Sequence, residues 1–372
     1  MRFRSIQRIL GLLLMVSSAT MLPPLLLALW FGDGSEGAFS TALLSVLAAG
    51  ALFWLPVRGQ HRELRVRDGF VVVALFWTVL AVVGALPFAL AEQPHMSFTD
   101  AMFESMSGLT TTGATVITGI DHLPKSIQFY RQELQWLGGM GIIVLAVAVL
   151  PMLGIGGMQL YRAETPGPMK DNKLTPRITE TAKALWYIYL GLTVSCAVAY
   201  WFAGMDVFDA IAHSFSTVAI GGFSTHDLSI GYFQSEAVEM VAVVFMLLAG
   251  VNFSLHFVAW RSVNPLTYFR DSEFKTYITV LAFAAAVTVV YLYLSGTYDG
   301  FGDALHHGVL RAGSRGSWRG FATAGSVLWA GGLAGVRGFS RFSGGGGGCR
   351  GGGVWGWGWG GVLGGGRRGR AG

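Results

Sequence analysis

Residues 100–115 read DAMFESMSGLTTTGAT, and residues 209–225 read DAIAHSFSTVAIGGFST. Each stretch opens on Asp-Ala (Asp100-Ala101, Asp209-Ala210), passes two serines (Ser105 and Ser107; Ser214 and Ser216) and closes on a Gly-centred polar run. From the Asp to Gly113 in the first, or to Gly222 in the second, the interval is 13 residues. Similar composition at equal spacing, with an apolar span on either side, argues for a duplicated helix–loop–helix unit. A third unit begins at Phe301-Gly302-Asp303-Ala304-Leu305 and reaches Gly320-Phe321-Ala322-Thr323.

The flanking spans place these units in a membrane. The chain has 372 residues, 52% hydrophobic and 13% charged, and a soluble domain carries about twice that charged fraction. A spanning helix needs about 20 mostly apolar residues, and candidates lie at roughly 7–31, 38–57, 69–91, 135–155, 184–203, 236–260 and 276–295. The start, MRFRSIQR followed by an apolar run, resembles a signal peptide, but the run continues too far beyond Ser17-Ser18-Ala19 for cleavage there. Two cysteines, Cys196 and Cys349, exclude a disulfide framework or a cysteine-built zinc cluster.

Loop charge orients the spans. The N-terminus carries Arg2, Arg4 and Arg8, and Arg58, Arg62, Arg65 and Arg67 follow the second span, so both ends of that hairpin are cytoplasmic; Asp33 and Glu36 between the spans are external. The segments 161–183 and 261–275, each basic, are cytoplasmic as well. That creates a parity problem. Residues 92–134 and 204–235 each join spans that must face the same way, and each holds only a short apolar stretch, MSFTDAMFESMSGL or VFDAIAHSFSTVA. A helix that enters and returns on one face satisfies length and charge together, and non-helical backbone at membrane depth is tolerated only where it lines a cavity or is buried in protein. These are read as re-entrant pore loops.

Such a loop has cation chemistry. A short helix aims its negative C-terminal end at the pore. The segment after it turns carbonyls inward, and rings of carbonyls replace the hydration shell of a monovalent cation. Gly serves where the backbone leaves ordinary φ/ψ. Acidic residues fall on the predicted external side (Glu92, Asp100, Asp121, Asp206, Asp209, Asp227, Asp299 and Asp303) and raise the local cation concentration. Asp100 and Asp209 also read as N-caps of the short helices.

The stretch ESMSGLTTTGATV, the run LPKSIQFYRQELQWLGGMGIIVLAVAVLPMLGIGGMQLYRAETPGPMKD after it, and HSFSTVAIGGFSTHD resemble the TrkH-type subunit of bacterial potassium-uptake systems, over about residues 1–308. That resemblance implies an all-α polytopic membrane protein, with repeated helix–pore loop–helix units around a pseudo-fourfold ion pore and an incomplete C-terminal part. Residues 1–57 would be an N-terminal two-helix unit, 69–155 and 184–260 the first two pore repeats, 276–325 a partial third and 326–372 an aberrant tail. It assigns the filter to Thr111, Thr112 and Gly113, then to Ile220, Gly221 and Gly222, and by alignment of Leu310 with Phe103 to Gly320 in the third loop. It implies potassium as the transported ion and no other metal, no cofactor, and location in the bacterial inner membrane with a cytoplasmic N-terminus. The implied partners are a cytoplasmic nucleotide-binding regulatory subunit docking on segments such as 156–183 and 261–275, and a second copy of the chain in a homodimer within the lipid bilayer.

The C-terminal region reads differently. Residues 310–372 hold nine Arg and no Lys, Asp or Glu; without them the chain has 17 basic and 21 acidic residues. The overall charge of +5 therefore belongs to the tail, and no nucleic-acid partner is implied. From Gly344 to Gly372, 17 of 29 residues are Gly, with no helical or strand periodicity. After His307-Gly308 the matching and non-matching segments alternate, and Trp318-Arg319 would occupy filter positions where Arg repels potassium. Shifted reading frames would explain that alternation, so the second reading is a truncated or frame-shifted, non-conducting product.

Other motifs carry less. Asp209 and His213 share a helical face, and His306-His307 follow Asp303, but neither set has a third and fourth metal ligand. Leu153-Gly154-Ile155-Gly156-Gly157 follows a membrane span rather than a strand and is no dinucleotide fingerprint. Gly138, Gly139 and Gly141 read as close packing near the pore; Lys125 and Arg131 near the outer mouth are anchors or ion pairs. No Ser/His/Asp set or HExxH falls on the spans, so an enzyme is not expected.

Overall fold

The computed structural model describes residues 3–59, 66–149 and 178–294, apart from 263 and 265, and these residues form helices and loops with no strand. The expected third filter glycine, Gly320, the tail and most of the segment 156–183 lie outside the described residues.

The N-terminal unit is α1 (Phe3–Ala19), α2 (Leu22–Phe31) and α3 (Glu36–Trp54). The first span is thus broken at Thr20-Met21, where Pro23 and Pro24 enter the first turn of α2; proline is tolerated there because that N–H lacks an intrahelical partner anyway. Gly32, at φ 58, closes α2 by donating its N–H to the Ala28 carbonyl at 2.8 Å. α1 lies against α3 backbone to backbone. A Cβ on Gly11 would stand 2.9 Å from the Gly50 carbonyl oxygen, and a Cβ on Gly50 2.9 Å from that of Gly11. Paired small residues of this kind let membrane helices approach closely.

Next come α4 (Val66–Leu90), the short α5 (Phe98–Leu109) and α6 (Lys125–Val149). The same order follows in α7 (Ile178–Phe202), the short α8 (Val207–Val218) and α9 (Glu236–Gly250). After them lie α10 (Phe253–Ser262), α11 (Leu266–Arg270) and α12 (Ser272–Leu294). Phe3–Phe31, Glu36–Val57, Lys183–Phe202 and Ser272–Tyr291 are each long and apolar enough to cross a membrane.

Two spans differ from the sequence expectation. α6 begins at Lys125, ten residues before the apolar window at 135, because its first turns carry Gln128, Arg131, Gln132, Glu133 and Gln135, all buried against protein. A hydropathy window cannot detect a helix whose polar face is buried by neighbouring protein instead of facing lipid. The span expected at 236–260 is two helices, α9 and α10, bent by 95°. His256 bridges the break: Nε2 donates to the Leu248 carbonyl at 2.9 Å, and Nδ1 accepts from the Tyr268 hydroxyl at 2.8 Å. Gly250 lets α12 in closely, since a Cβ there would stand 2.2 Å from the Tyr277 hydroxyl.

Each short helix sits in its own core. Ala101 and Leu109 of α5 pack with Phe39, Ala85, Phe88 and Tyr130, and Ala210 and Val218 of α8 pack with Tyr189, Tyr200, Met246 and Phe253. α6 joins the two halves. Trp136 stacks between Phe215 and Tyr189, with ring centroids at 5.0 and 5.8 Å, and donates from Nε1 to Thr193 Oγ1 at 3.1 Å. The outward faces carry exposed Leu26, Trp30, Leu52, Phe202 and Phe283.

Candidate ion-conduction site

α5 and α8 are each 12 residues long, or about 18 Å, and cannot cross a hydrocarbon layer of about 30 Å. Their N-caps are Ser97 and Asp206, which corrects the expectation of Asp100 and Asp209. Ser97 Oγ accepts from Asp100 N at 3.2 Å and donates to Asp100 Oδ2 at 2.8 Å, and Asp206 Oδ2 accepts from Phe208 N at 3.2 Å. A cap lies just outside the helix with extended backbone, and Ser97 (ψ 154) and Asp206 (ψ 153) have it. Asp209 is thereby free for another partner.

Beyond the helices the two loops copy each other at a constant offset of 109 residues, Gly113 to Gly222. Thr111 N donates to the Gly108 carbonyl at 2.9 Å and Thr112 N to Ser107 at 2.7 Å; Ile220 N donates to Thr217 at 3.0 Å and Gly221 N to Ser216 at 2.8 Å. The same alternate residues are left-handed: Thr111 at φ 50 and Gly113 at φ 71, Ile220 at φ 52 and Gly222 at φ 83. A β-branched residue at positive φ is an outlier, and such strain, roughly 1–3 kcal/mol per residue, persists where the surroundings over-determine it and clusters at functional sites. Here it falls twice, at matching positions of the expected filter.

The surroundings that enforce it come largely from α6. Gln135 Oε1 accepts from Ser216 Oγ at 2.6 Å and from Phe223 N at 3.1 Å. Gly221 faces that amide so closely that a Cβ would stand 2.2 Å from it. One turn earlier on α6, the Arg131 guanidinium is fully buried and contacts both loops, including the Ser224 carbonyl at 3.0 Å. Gly138 and Gly139 then pass the ends of the two short helices: a Cβ on Gly138 would stand 1.9 Å from the Leu109 carbonyl oxygen, and one on Gly139 3.0 Å from Ala219 Cβ. The close packing expected of these glycines is therefore helix against loop origin. Lys125 lies over the Phe208 ring at 4.6 Å and is an aromatic anchor.

Past their glycines the loops are tied by His226. Its Nδ1 donates to Asp121 Oδ1 and its Nε2 to Asp209 Oδ2 at 3.3 Å, while the ring stacks on Tyr232 at a centroid distance of 3.5 Å. Thr225 Oγ1 donates to Asp209 Oδ1 at 2.7 Å, completing the carboxylate's shell. Two carboxylate acceptors require both ring nitrogens protonated. Burial opposes that charge, but the hydrogen bonds and charges of Asp209 and Asp121 outweigh it and raise the His226 pKa above its ordinary 6.5. For Asp121 burial acts upward, and hydrogen bonds from His226 and the Asp227 backbone bring it below 3.8. A raised histidine value means a contribution complete below pH 6.5 and lost as pH climbs through the folded value; a lowered carboxyl value means one present above pH 3.8 and lost on acidification. The tie is thus whole in mildly acidic solution and weakens on the alkaline side. His226→Gln is expected to cost about 1 kcal/mol at mildly acidic pH and to flatten the alkaline decline of the thermal midpoint. An equally steep decline in the variant would remove His226 as its source.

The metal reading of Asp209 and His213 has no support in the geometry, since His213 uses Nδ1 on the Asp209 carbonyl and Nε2 on Ser224 Oγ, both at 2.9 Å. Among the described residues no three His, Cys, Asp or Glu side chains group to hold a metal. The structure thus brings Thr111, Thr112 and Gly113 into the same local arrangement as Ile220, Gly221 and Gly222. Sequence reasoning passed over Glu104, Gln135 and His226. A lone acid inside the short helix and a polar run at 125–135 were the available signals.

The family described as TrkH, cation transport protein, matches residues 36–333, a range that runs past Gly320. The Trk system potassium uptake protein TrkH of Vibrio parahaemolyticus is 56% identical over 346 residues, covering 92% of this chain and 71% of that protein. Its namesake in Halomonas elongata is 57% identical over 333 residues, covering 90% and 69%. The crystal structure of the potassium transporter TrkH from Vibrio parahaemolyticus superposes with a TM-score of 0.81 at 52% identity, over 92% of this chain and 70% of that one. With the family matched across most of its length, two close relatives and the same all-helical membrane architecture, this chain belongs to the TrkH family of cation transport proteins.

Proposed function

We propose that this chain is the pore-forming subunit of a Trk-type system and carries potassium across the bacterial inner membrane, N-terminus on the cytoplasmic side. The observation that carries the reading is the repeated left-handed backbone at Thr111 and Gly113 and at Ile220 and Gly222. Alternating hand turns successive peptide planes the same way, so neighbouring carbonyls line one wall, and carbonyl rings of this kind replace a cation's hydration shell. The filter residues are Thr111, Thr112 and Gly113, then Ile220, Gly221 and Gly222, with Gly320 in the third loop. Residues 1–57 form the N-terminal unit, 69–155 and 184–260 the first two pore repeats, and 276–325 a partial third.

The chemistry is dehydration without covalent change. α5 and α8 end where these segments begin, so the negative ends of both helix dipoles favour a cation there. Asp100 and Asp227 at the outer side enrich cations before entry. The matched family range through residue 333 favours this reading over a non-conducting product. A cytoplasmic nucleotide-binding subunit controls opening, and two copies of the chain form the membrane assembly. The test is growth of a potassium-uptake-deficient bacterium at low external potassium when the full chain and that subunit are supplied together. Rescue with rubidium uptake supports the reading; membrane insertion without rescue overturns it.

A further inference from the structure

We infer that Arg131 is a positioning residue for ion discrimination, holding the first and second filter segments in register with one another through a single buried guanidinium; this rests on the filter reading above. The side chain is 0% exposed. Nε donates to Glu104 Oε1 at 2.9 Å, Nη2 to Thr115 Oγ1 at 3.1 Å and Nη1 to the Ser224 carbonyl at 3.0 Å, and Cζ lies 4.4 Å from the centre of the Phe223 ring. Glu104, also 0% exposed, accepts from Thr115 Oγ1 at 2.9 and 3.0 Å and from Val116 N at 3.2 Å. Thr115 and Ser224 stand two residues beyond Gly113 and Gly222. One cation therefore grips equivalent points of two loops that lie 109 residues apart in the chain.

Comparison of the repeats separates this role from local bracing. Glu104 on α5 and His213 on α8 are equivalent, and each bonds the hydroxyl two residues past its filter glycine: Glu104 that of Thr115, His213 Nε2 that of Ser224 at 2.9 Å. Both loops thus have a brace from their own short helix. Counted from the starts of α6 and α9, the position equivalent to Arg131 is Ala242, a buried apolar residue. The second repeat has no cation there and needs none, because its brace is an imidazole rather than a carboxylate. In the first repeat the charge does two jobs, balancing Glu104 and reaching across to the Ser224 carbonyl. The planar guanidinium supplies the several fixed donors this requires, which an ammonium does not.

The experiment uses the full chain with its nucleotide-binding partner and reads membrane abundance and the ratio of rubidium to sodium uptake. Arg131→Met removes both jobs. The double variant Glu104→His with Arg131→Met installs the second repeat's pattern of imidazole brace and apolar residue in the first, restoring a local brace without the tie to Ser224. The expected result is wild-type abundance of the double variant, with discrimination against sodium reduced about tenfold, the scale of one lost hydrogen bond to a charged group. Wild-type discrimination in the double variant overturns the positioning role and leaves Arg131 as the counter-charge of Glu104. Failure of both variants to accumulate also overturns it, making Arg131 a folding residue. Gly113→Ala and Gly222→Ala chains run alongside separate this from the filter reading: unchanged uptake in both removes that reading, whereas loss of uptake in both with wild-type discrimination in the Arg131 variants removes only the positioning role.

Discussion

A Gly138→Ala chain is expected to lose rubidium uptake by roughly a hundredfold or more, equivalent to about 2.7 kcal/mol on the transport barrier, and to show a lowered thermal midpoint. One methyl group does this because of what it meets. The added Cβ would stand 1.9 Å from the Leu109 carbonyl oxygen and 2.6 Å from its carbon. These are backbone atoms, so no rotamer change relieves the contact, and α6 or the end of α5 has to move. Leu109 is the last residue of α5, directly before Thr110 and the proposed first filter segment. Overfilling a packed site costs about 1–3 kcal/mol and occasionally more, and here the displacement enters the segment proposed to conduct. Gly191→Ala on α7 is the control, since its Cβ meets nothing within 4 Å. Gly139→Ala is expected to fall between, because it meets the Tyr189 hydroxyl at 2.6 Å and Ala219 Cβ at 3.0 Å. Wild-type uptake in Gly138→Ala would show that α6 and α5 do not meet as described.

Gly222→Val is expected to reach the membrane and conduct nothing measurable, with rubidium uptake reduced roughly a hundredfold or more. Gly222 holds φ 83, a region in which a β-branched side chain is a steric outlier. Ile220, two residues earlier, already sits at φ 52 and is 2% exposed, held by the packing of α8 with α7 and α9. Gly222 comes after that support and before Phe223, whose N–H is tied to Gln135. Valine there has to turn the peptide plane toward ordinary φ, and the carbonyls around it leave the wall they share. Gly113→Val, at φ 71 in the first loop, is expected to act alike, which distinguishes a shared filter from a single essential loop. The measurement is potassium-dependent growth beside membrane abundance. Both valine variants growing as wild type would place the conducting segment elsewhere.

The sequence by itself determined the duplicated short helix with its polar loop and the positions of Gly113 and Gly222. Those are short-range properties: a helix too brief to cross, a polar run after it, and left-handed positions fixed by hydrogen bonds to carbonyls three to five residues back, such as Thr112 to Ser107. It misassigned the caps because Asp100 and Ser97 are both good capping residues three apart, and only backbone geometry tells the cap from its neighbour. Tertiary structure decided what holds the loops to each other. Arg131 and the Ser224 carbonyl are 93 residues apart, and His226 and Asp121 are 105 apart. No periodicity links such pairs, and each partner is an ordinary polar residue in its own segment. The start of α6 was illegible for the same reason: a polar helical face looks like loop until another part of the protein is known to bury it.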